Sequence, residues 1–218
     1  MDEAFWLKRW QDSAIPFHKA EPNHYLRKYF GRLGLAAGDE VLVPLCGKSV
    51  DMRWLARRGC CVTGVELSEI AARDFFEEQG IQAAERREGA FLVLEGGGVT
   101  LLCGDFFSLS SARTARVAAA YDRAALIALP AEMRMRYAEH LLSLLAADTP
   151  ILLLTFEYPA HDIDGPPFSV GEAEVRRLFA GRRRVTRMES LDRLANETNL
   201  AERGVTRLEE HAFLLSGS

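Results

Sequence analysis

Val41-Leu42-Val43-Pro44-Leu45-Cys46-Gly47-Lys48-Ser49, answered downstream by Cys61-Val62-Thr63-Gly64-Val65-Glu66, is the stretch that decides the fold. Both segments carry a short apolar, β-branched run of buried-strand length. Between them Ser49 is placed to cap a helix carrying Met52, Trp54 and Leu55 that stops at Gly59. Strand, loop, helix, strand is the repeating unit of a parallel α/β sheet. In such sheets ligands bind outside the carboxyl ends of the strands, so the loop after Val43 and the acid at Glu66 come first. The loop has one glycine where a dinucleotide loop has three, and Pro44 removes an N–H. That pattern suits a nucleoside better than a pyrophosphate. Glu66 lies nineteen residues beyond Gly47, the spacing at which an acid accepts hydrogen bonds from ribose hydroxyls and repels a 2′-phosphate. Read alone, Glu66 is equally a helix N-terminal acid favoured by the dipole.

The alternation continues outward. Ser68 caps a helix through Phe75 and Phe76 that ends at Gly80, and strands Phe91 to Glu95 and Val99 to Cys103 flank Gly96-Gly97-Gly98 as a hairpin. Gly104-Asp105-Phe106-Phe107 follows. An acid beside an aromatic pair suits the edge and face of adenine, and it equally describes a turn with two core phenylalanines. Ala118 to Tyr121 reads as a strand with Asp122-Arg123 at its end, site residues or a local ion pair. Then come a helix over Met133 to Leu145, a buried strand over Ile151 to Phe156, and a capping box Ser169-x-x-Glu172 opening a helix through Phe179. Arg184 to Leu191 and Arg207 to Leu215 are late strands. Upstream, Asp2 and Asn23 are placed to cap two helices, the first bearing Trp10, the second Tyr25, Leu26, Tyr29, Phe30 and Leu33.

At 218 residues the chain has the length of one domain. Lys and Arg number 27 against 31 Asp and Glu, a net charge of −4. This gives no whole-chain attraction for nucleic acid or an anionic membrane. No apolar run approaches the ~20 residues of a membrane span, and the first residues lack a secretory pattern, so a cytoplasmic location is expected. Cys46, Cys60, Cys61 and Cys103 lack C-x-x-C spacing, and the five histidines form no metal signature. No metal is expected. No Ser/His/Asp set or carboxylate pair is evident, so no covalent intermediate is expected.

Pro44-Leu45-Cys46-Gly47-Lys48-Ser49-Val50-Asp51-Met52-x-Trp54-Leu55-Ala56-x-x-Gly59-x-x-Val62-x-Gly64-Val65-Glu66-x-Ser68 resembles the signature of the thiopurine S-methyltransferase family, class I methyltransferases that use S-adenosylmethionine. Tyr121-Asp122-Arg123-x-Ala125-Leu126, Gly165-Pro166-Pro167-Phe168, Trp10 and Phe17-His18 match in family order, across essentially the whole chain. The resemblance implies an α/β Rossmann-like sandwich: a seven-stranded, mostly parallel sheet whose last strand is antiparallel. It implies one methyltransferase domain over 1–218, with residues 1–35 as a helical cover. It places Trp10, Leu45, Gly47, Glu66, Asp105, Phe106 and Arg123 at S-adenosylmethionine. It puts Arg123 at the cofactor and substrate end of the cleft, which makes it the candidate catalytic residue, with Phe17, Pro167 and Phe168 on the acceptor side. The segment Asn196 to Gly204 offers Arg203 as a further substrate-side arginine. The expected activity is methylation of a small aromatic or heterocyclic thiol by a monomeric chain with no nucleic-acid or membrane partner. Methylation of selenium or tellurium species or other small thiols is the nearest alternative. A NAD-dependent oxidoreductase and a noncatalytic binding protein are the others.

Overall fold

The computed structural model describes residues 3–15 and 18–217. Two compact units divide the chain, Met1–Tyr121 and Asp122–Ser218. The first unit opens with α1 (Glu3–Gln11) and α2 (His24–Tyr29). It continues through β1 (Glu40–Val43), α3 (Val50–Arg57), β2 (Cys61–Glu66), α4 (Glu69–Glu78), β3 (Ala84–Glu88), β4 (Phe91–Gly96) and β5 (Val99–Cys103), and it ends within β6 (Val117–Arg123), at Tyr121. Its strand order is β3-β4-β5-β2-β1-β6. The pairs β1·β2, β1·β6 and β2·β5 are parallel; β3·β4 and β4·β5 are antiparallel. The predicted caps form: the side chains of Asn23, Ser49 and Ser68 accept from the N–H groups of Tyr25, Asp51 and Ala71. Gly97 and Gly98, at φ 58° and 82°, make the tight turn between β4 and β5 that two left-handed residues favour.

One buried acid ties this unit together. Asp51 Oδ1 accepts from the Asn23 N–H at 2.7 Å and Oδ2 from the Tyr121 hydroxyl at 2.9 Å. The start of α2, the first turn of α3 and the end of β6 are thereby fixed to one carboxylate. Packing is tightest at Gly64, in the middle of β2. A Cβ there would stand 2.4 Å from Leu101 Cδ2, 2.8 Å from Cys46 Sγ and 2.9 Å from Met52 Sδ. Gly64→Ala should therefore lower stability by about 2 kcal/mol through overpacking, read as a lower denaturant midpoint with an unchanged slope. An unchanged midpoint would mean that the three neighbours repack without strain.

The second unit contains α5 (Ala131–Ser143), β7 (Ile151–Glu157), α6 (Glu172–Phe179), β8 (Arg184–Asp192), α7 (Thr198–Glu202) and β9 (Glu209–Ser216). Its strand order is β7-β9-β8, with β9 antiparallel to both neighbours. Tyr137, Leu153, Phe179 and Phe213 are fully buried in it.

The described residues thus carry nine strands rather than the seven implied. The α/β class and the antiparallel last strand hold. The addition is the β3–β4 extension beside β5. All five residues of β3, Ala-Glu-Arg-Arg-Glu, are exposed, so no apolar alternation marks the strand. A second correction concerns Ser169. It does not cap α6, whose N-cap is Gly171 with no side-chain bond. Its hydroxyl instead accepts from the Tyr158 N–H at 3.0 Å and donates to the Tyr158 carbonyl at 2.7 Å.

Candidate active site

The first unit assembles a site at the carboxyl ends of β1, β2 and β5. After Val43 the backbone turns through left-handed residues at Leu45 (φ 46°) and Gly47 (φ 53°). A leucine in that region is strained by about 1–3 kcal/mol and persists only where its surroundings enforce it. Here the Cys46 N–H donates to the Val65 carbonyl at 3.0 Å, pulling the loop onto β2. The Gly47 N–H donates to Glu66 Oε2 at 2.8 Å, and the Ser68 N–H donates to Oε1 at 2.7 Å. Both oxygens are thus held by backbone donors, and each retains further acceptor capacity. Glu66 is buried, which pushes its carboxyl above the usual range, while the N–H groups of Ser68 and Gly47 pull it back. Its own carbonyl accepts from the Gly104 N–H at 2.8 Å, bringing the start of the Asp105 turn to the same end of the sheet.

Trp10 is buried against the loop. A Cβ on Gly47 would lie 3.2 Å from its ring, so glycine answers both the left-handed turn and the close aromatic approach. Lys48 also belongs here, although no role for it follows from the sequence. Its ammonium lies 6.0 Å from the Trp10 ring centroid and bonds Asp74 at 3.1 Å and Glu78 at 2.6 Å. Burial would lower its pKa, but hydrogen bonds with Glu78 and Asp74 more than offset this and hold it above the ordinary value. The readable signal is the four-residue spacing of Asp74 and Glu78 on one face of α4.

Asp105 is anchored through one carboxylate oxygen. Its Oδ1 accepts from the Phe107 N–H at 2.9 Å and caps a short turn in which Phe106 is buried. Of the other predicted residues, Phe17 lies outside the described residues, as does the Asp2 cap.

The second unit holds Arg123, Pro167 and Phe168. Arg123 ends β6 and is followed by Ala124 at φ 68°. The turn is organised by Asp122, which is fully buried. Its Oδ2 accepts from the Tyr137 hydroxyl at 2.7 Å and Oδ1 from the Leu126 N–H at 3.2 Å. Burial pushes the Asp122 carboxyl up to about 6, against the pull of Tyr137 and the backbone donors Leu126 and Ala125. Phe168 joins the same turn, its N–H donating to the Ile127 carbonyl at 2.7 Å. The Arg134 guanidinium lies 5.4 Å over its ring. Arg203, named above as a further substrate-side arginine, donates to the Pro166 carbonyl at 2.8 Å.

The chain is similar to known proteins over its whole length. The family model for thiopurine S-methyltransferases matches residues 1–218. This chain belongs to the thiopurine S-methyltransferase family. A family member from Pseudomonas paraeruginosa, named thiopurine S-methyltransferase, is 48% identical over 215 residues, covering 99% of each chain. One of the same name from Azotobacter vinelandii is 47% identical over 215 residues, again covering 99% of each. Among solved structures, the 1,6-didemethyltoxoflavin-N1-methyltransferase of Burkholderia thailandensis, with bound 1,6-didemethyltoxoflavin and S-adenosylhomocysteine, superposes with a TM-score of 0.66 at 16% identity. That match covers 99% of this chain and 87% of the other. Magnesium protoporphyrin IX methyltransferase from Synechocystis PCC 6803, with bound S-adenosylhomocysteine, gives a TM-score of 0.62 at 14% identity over 99% and 100%. At these identities the structures share the class I methyltransferase fold with this chain. Among the described residues no helix is long and apolar enough to cross a membrane, and no group of three or more His, Cys, Asp or Glu could hold a metal ion.

Proposed function

We propose that this chain methylates the sulfur of a small aromatic or heterocyclic thiol, a thiopurine S-methyltransferase activity that draws on S-adenosylmethionine. The observation that carries the reading is the buried Glu66 carboxylate, held by the Gly47 and Ser68 N–H groups beside Trp10. A nucleoside fits that donor and acceptor set: a fixed anion for the ribose diol and an aromatic ring next to the loop. S-adenosylmethionine supplies an electrophilic methyl carbon on a sulfonium sulfur.

Every other task falls to the chain. Glu66 accepts from the ribose hydroxyls, Trp10, Leu45 and Gly47 shape the loop, and Asp105 and Phe106 serve the adenine end. Phe17, Pro167 and Phe168 form the acceptor side. In-line displacement requires the nucleophile within about 3–3.5 Å of the methyl carbon, opposite the leaving sulfur, so alignment is the main demand. The attacking sulfur is best ionised. A guanidinium has no acceptor atom and cannot be the base, so the acidic thiol gives its proton to solvent before transfer; Arg123 stabilises the resulting thiolate electrostatically. The proposal includes a monomeric protein in the cytoplasm, a reducing compartment that suits its four free cysteines.

Calorimetric titration with S-adenosylhomocysteine and with NAD, followed by turnover of a thiopurine, a simple aryl thiol and a selenite-derived acceptor, tests the reading. Binding of NAD in preference to S-adenosylhomocysteine, or turnover confined to the selenium compound, would displace it. Arg123→Lys keeps the charge but loses the planar fork. It should slow single-turnover methylation about tenfold and move the acidic limb of the pH profile upward, since a less stabilised thiolate forms at higher pH. An unchanged rate and profile would remove Arg123 from this role.

A further inference from the structure

The loop from Tyr158 to Val170 is closed at its base by the reciprocal Tyr158–Ser169 bonds and by the Val170 N–H donating to the Phe156 carbonyl at 2.7 Å. Its tip is Gly165-Pro166-Pro167-Phe168. Two consecutive prolines bring no N–H, so the tip cannot satisfy its own carbonyls and depends on donors from elsewhere. Three side-chain bonds meet that need. The Tyr158 hydroxyl donates to the Pro167 carbonyl at 2.6 Å, Arg203 Nη1 to the Pro166 carbonyl at 2.8 Å, and Arg203 Nη2 to the Gly165 carbonyl at 3.4 Å. A second strap lies alongside: Asp162 Oδ2 accepts from the Thr206 N–H at 2.8 Å and from its hydroxyl at 2.9 Å. Beneath both, Leu200, Val205 and Leu208 pack with Tyr158 in a small buried cluster of their own.

We infer that the segment from Arg193 to Leu208 is a bracket on this loop, and that Arg203 is a positioning residue for acceptor specificity. It acts through the carbonyls of Gly165 and Pro166 on Pro167 and Phe168, and it touches no reacting atom. The inference rests on the proposed function for the meaning of the loop, and on the geometry for the bracket itself. The guanidinium fork is what spans two adjacent carbonyls; an ammonium is a point donor. Arg203 is exposed, so its replacement leaves no buried charge and the chain should fold.

The test compares Arg203→Met and Arg203→Lys with wild type in two ways. Hydrogen exchange needs no substrate: the amides of residues 161–165 and 168 should exchange about tenfold faster in Arg203→Met, with partial recovery in Arg203→Lys. Steady-state kinetics should show the acceptor KM rising about tenfold, with kcat and the affinity for S-adenosylhomocysteine within twofold. Unchanged loop exchange would overturn the bracket. Faster exchange with an unaltered acceptor KM would overturn the specificity role. If wild type methylates no thiol, the proposed function fails while the exchange measurement still decides the bracket.

Discussion

Glu66→Ala is expected to weaken S-adenosylhomocysteine binding by about two to three orders of magnitude. A hydrogen bond to a charged group contributes about 1.5–3 kcal/mol, and a ribose diol offers two donors to this one carboxylate. A further loss comes from the protein side. The Gly47 and Ser68 N–H groups, now held at 2.8 and 2.7 Å, lose their acceptor, and the loop that Gly47 turns keeps only the Cys46–Val65 backbone bond as its tether to β2. Glu66→Gln should recover little. One of its amide atoms is a donor, and it would face one of two backbone donors. Titration calorimetry on a variant shown by circular dichroism to be folded measures the effect. Affinity within threefold of wild type would remove Glu66 from cofactor binding and leave it a loop clamp.

The second large effect concerns Asp122 and pH. Its carboxyl titrates near 6 in the folded protein against about 3.9 in an unfolded chain. Between those values the folded state binds more protons, so stability falls as pH rises. The contribution is fully present below about pH 4 and is lost as pH passes through 6, about 3 kcal/mol in all. Asp122→Asn removes it. The asparagine oxygen still accepts from the Leu126 N–H, and its amide can donate to the Tyr137 oxygen, so the turn after Arg123 survives. Stability of variant minus wild type, from denaturant midpoints, should rise by about 3 kcal/mol between pH 4 and pH 7.5. Parallel profiles would show that Asp122 does not titrate in this window.

What the sequence disclosed followed from where local chemistry and tertiary need coincide. The loop after β1, the caps at Ser49 and Ser68 and the Gly97-Gly98 turn are each specified by residues a few positions apart, and each formed as read. The alanine-rich strand β6 also formed, because parallel pairing with β1 outweighs alanine's helix preference. Partnerships formed at long range were not legible. The Lys48 bonds to Asp74 and Glu78 span 26 and 30 residues, and that of Arg203 to Pro166 spans 37. Ser169 misled for the same reason: its capping-box spacing is local, but the loop it closes offered Tyr158 as a competing partner. Strand β3 escaped because hydrophobic alternation, the main strand signal, is absent from it.

That strand has a consequence for how the molecule behaves when crowded. β3 is the outer edge of its sheet, the place where a foreign strand would dock and growth of one sheet onto another would begin. Charges of both signs line it. Glu85 pairs with Arg73, Arg86 with Glu95, and Glu88 with Arg113. An incoming chain would have to strip water from these groups or break their pairs before gaining a ladder. The row of amides that apolar patterning overlooks is also the row that colloidal self-association cannot readily extend.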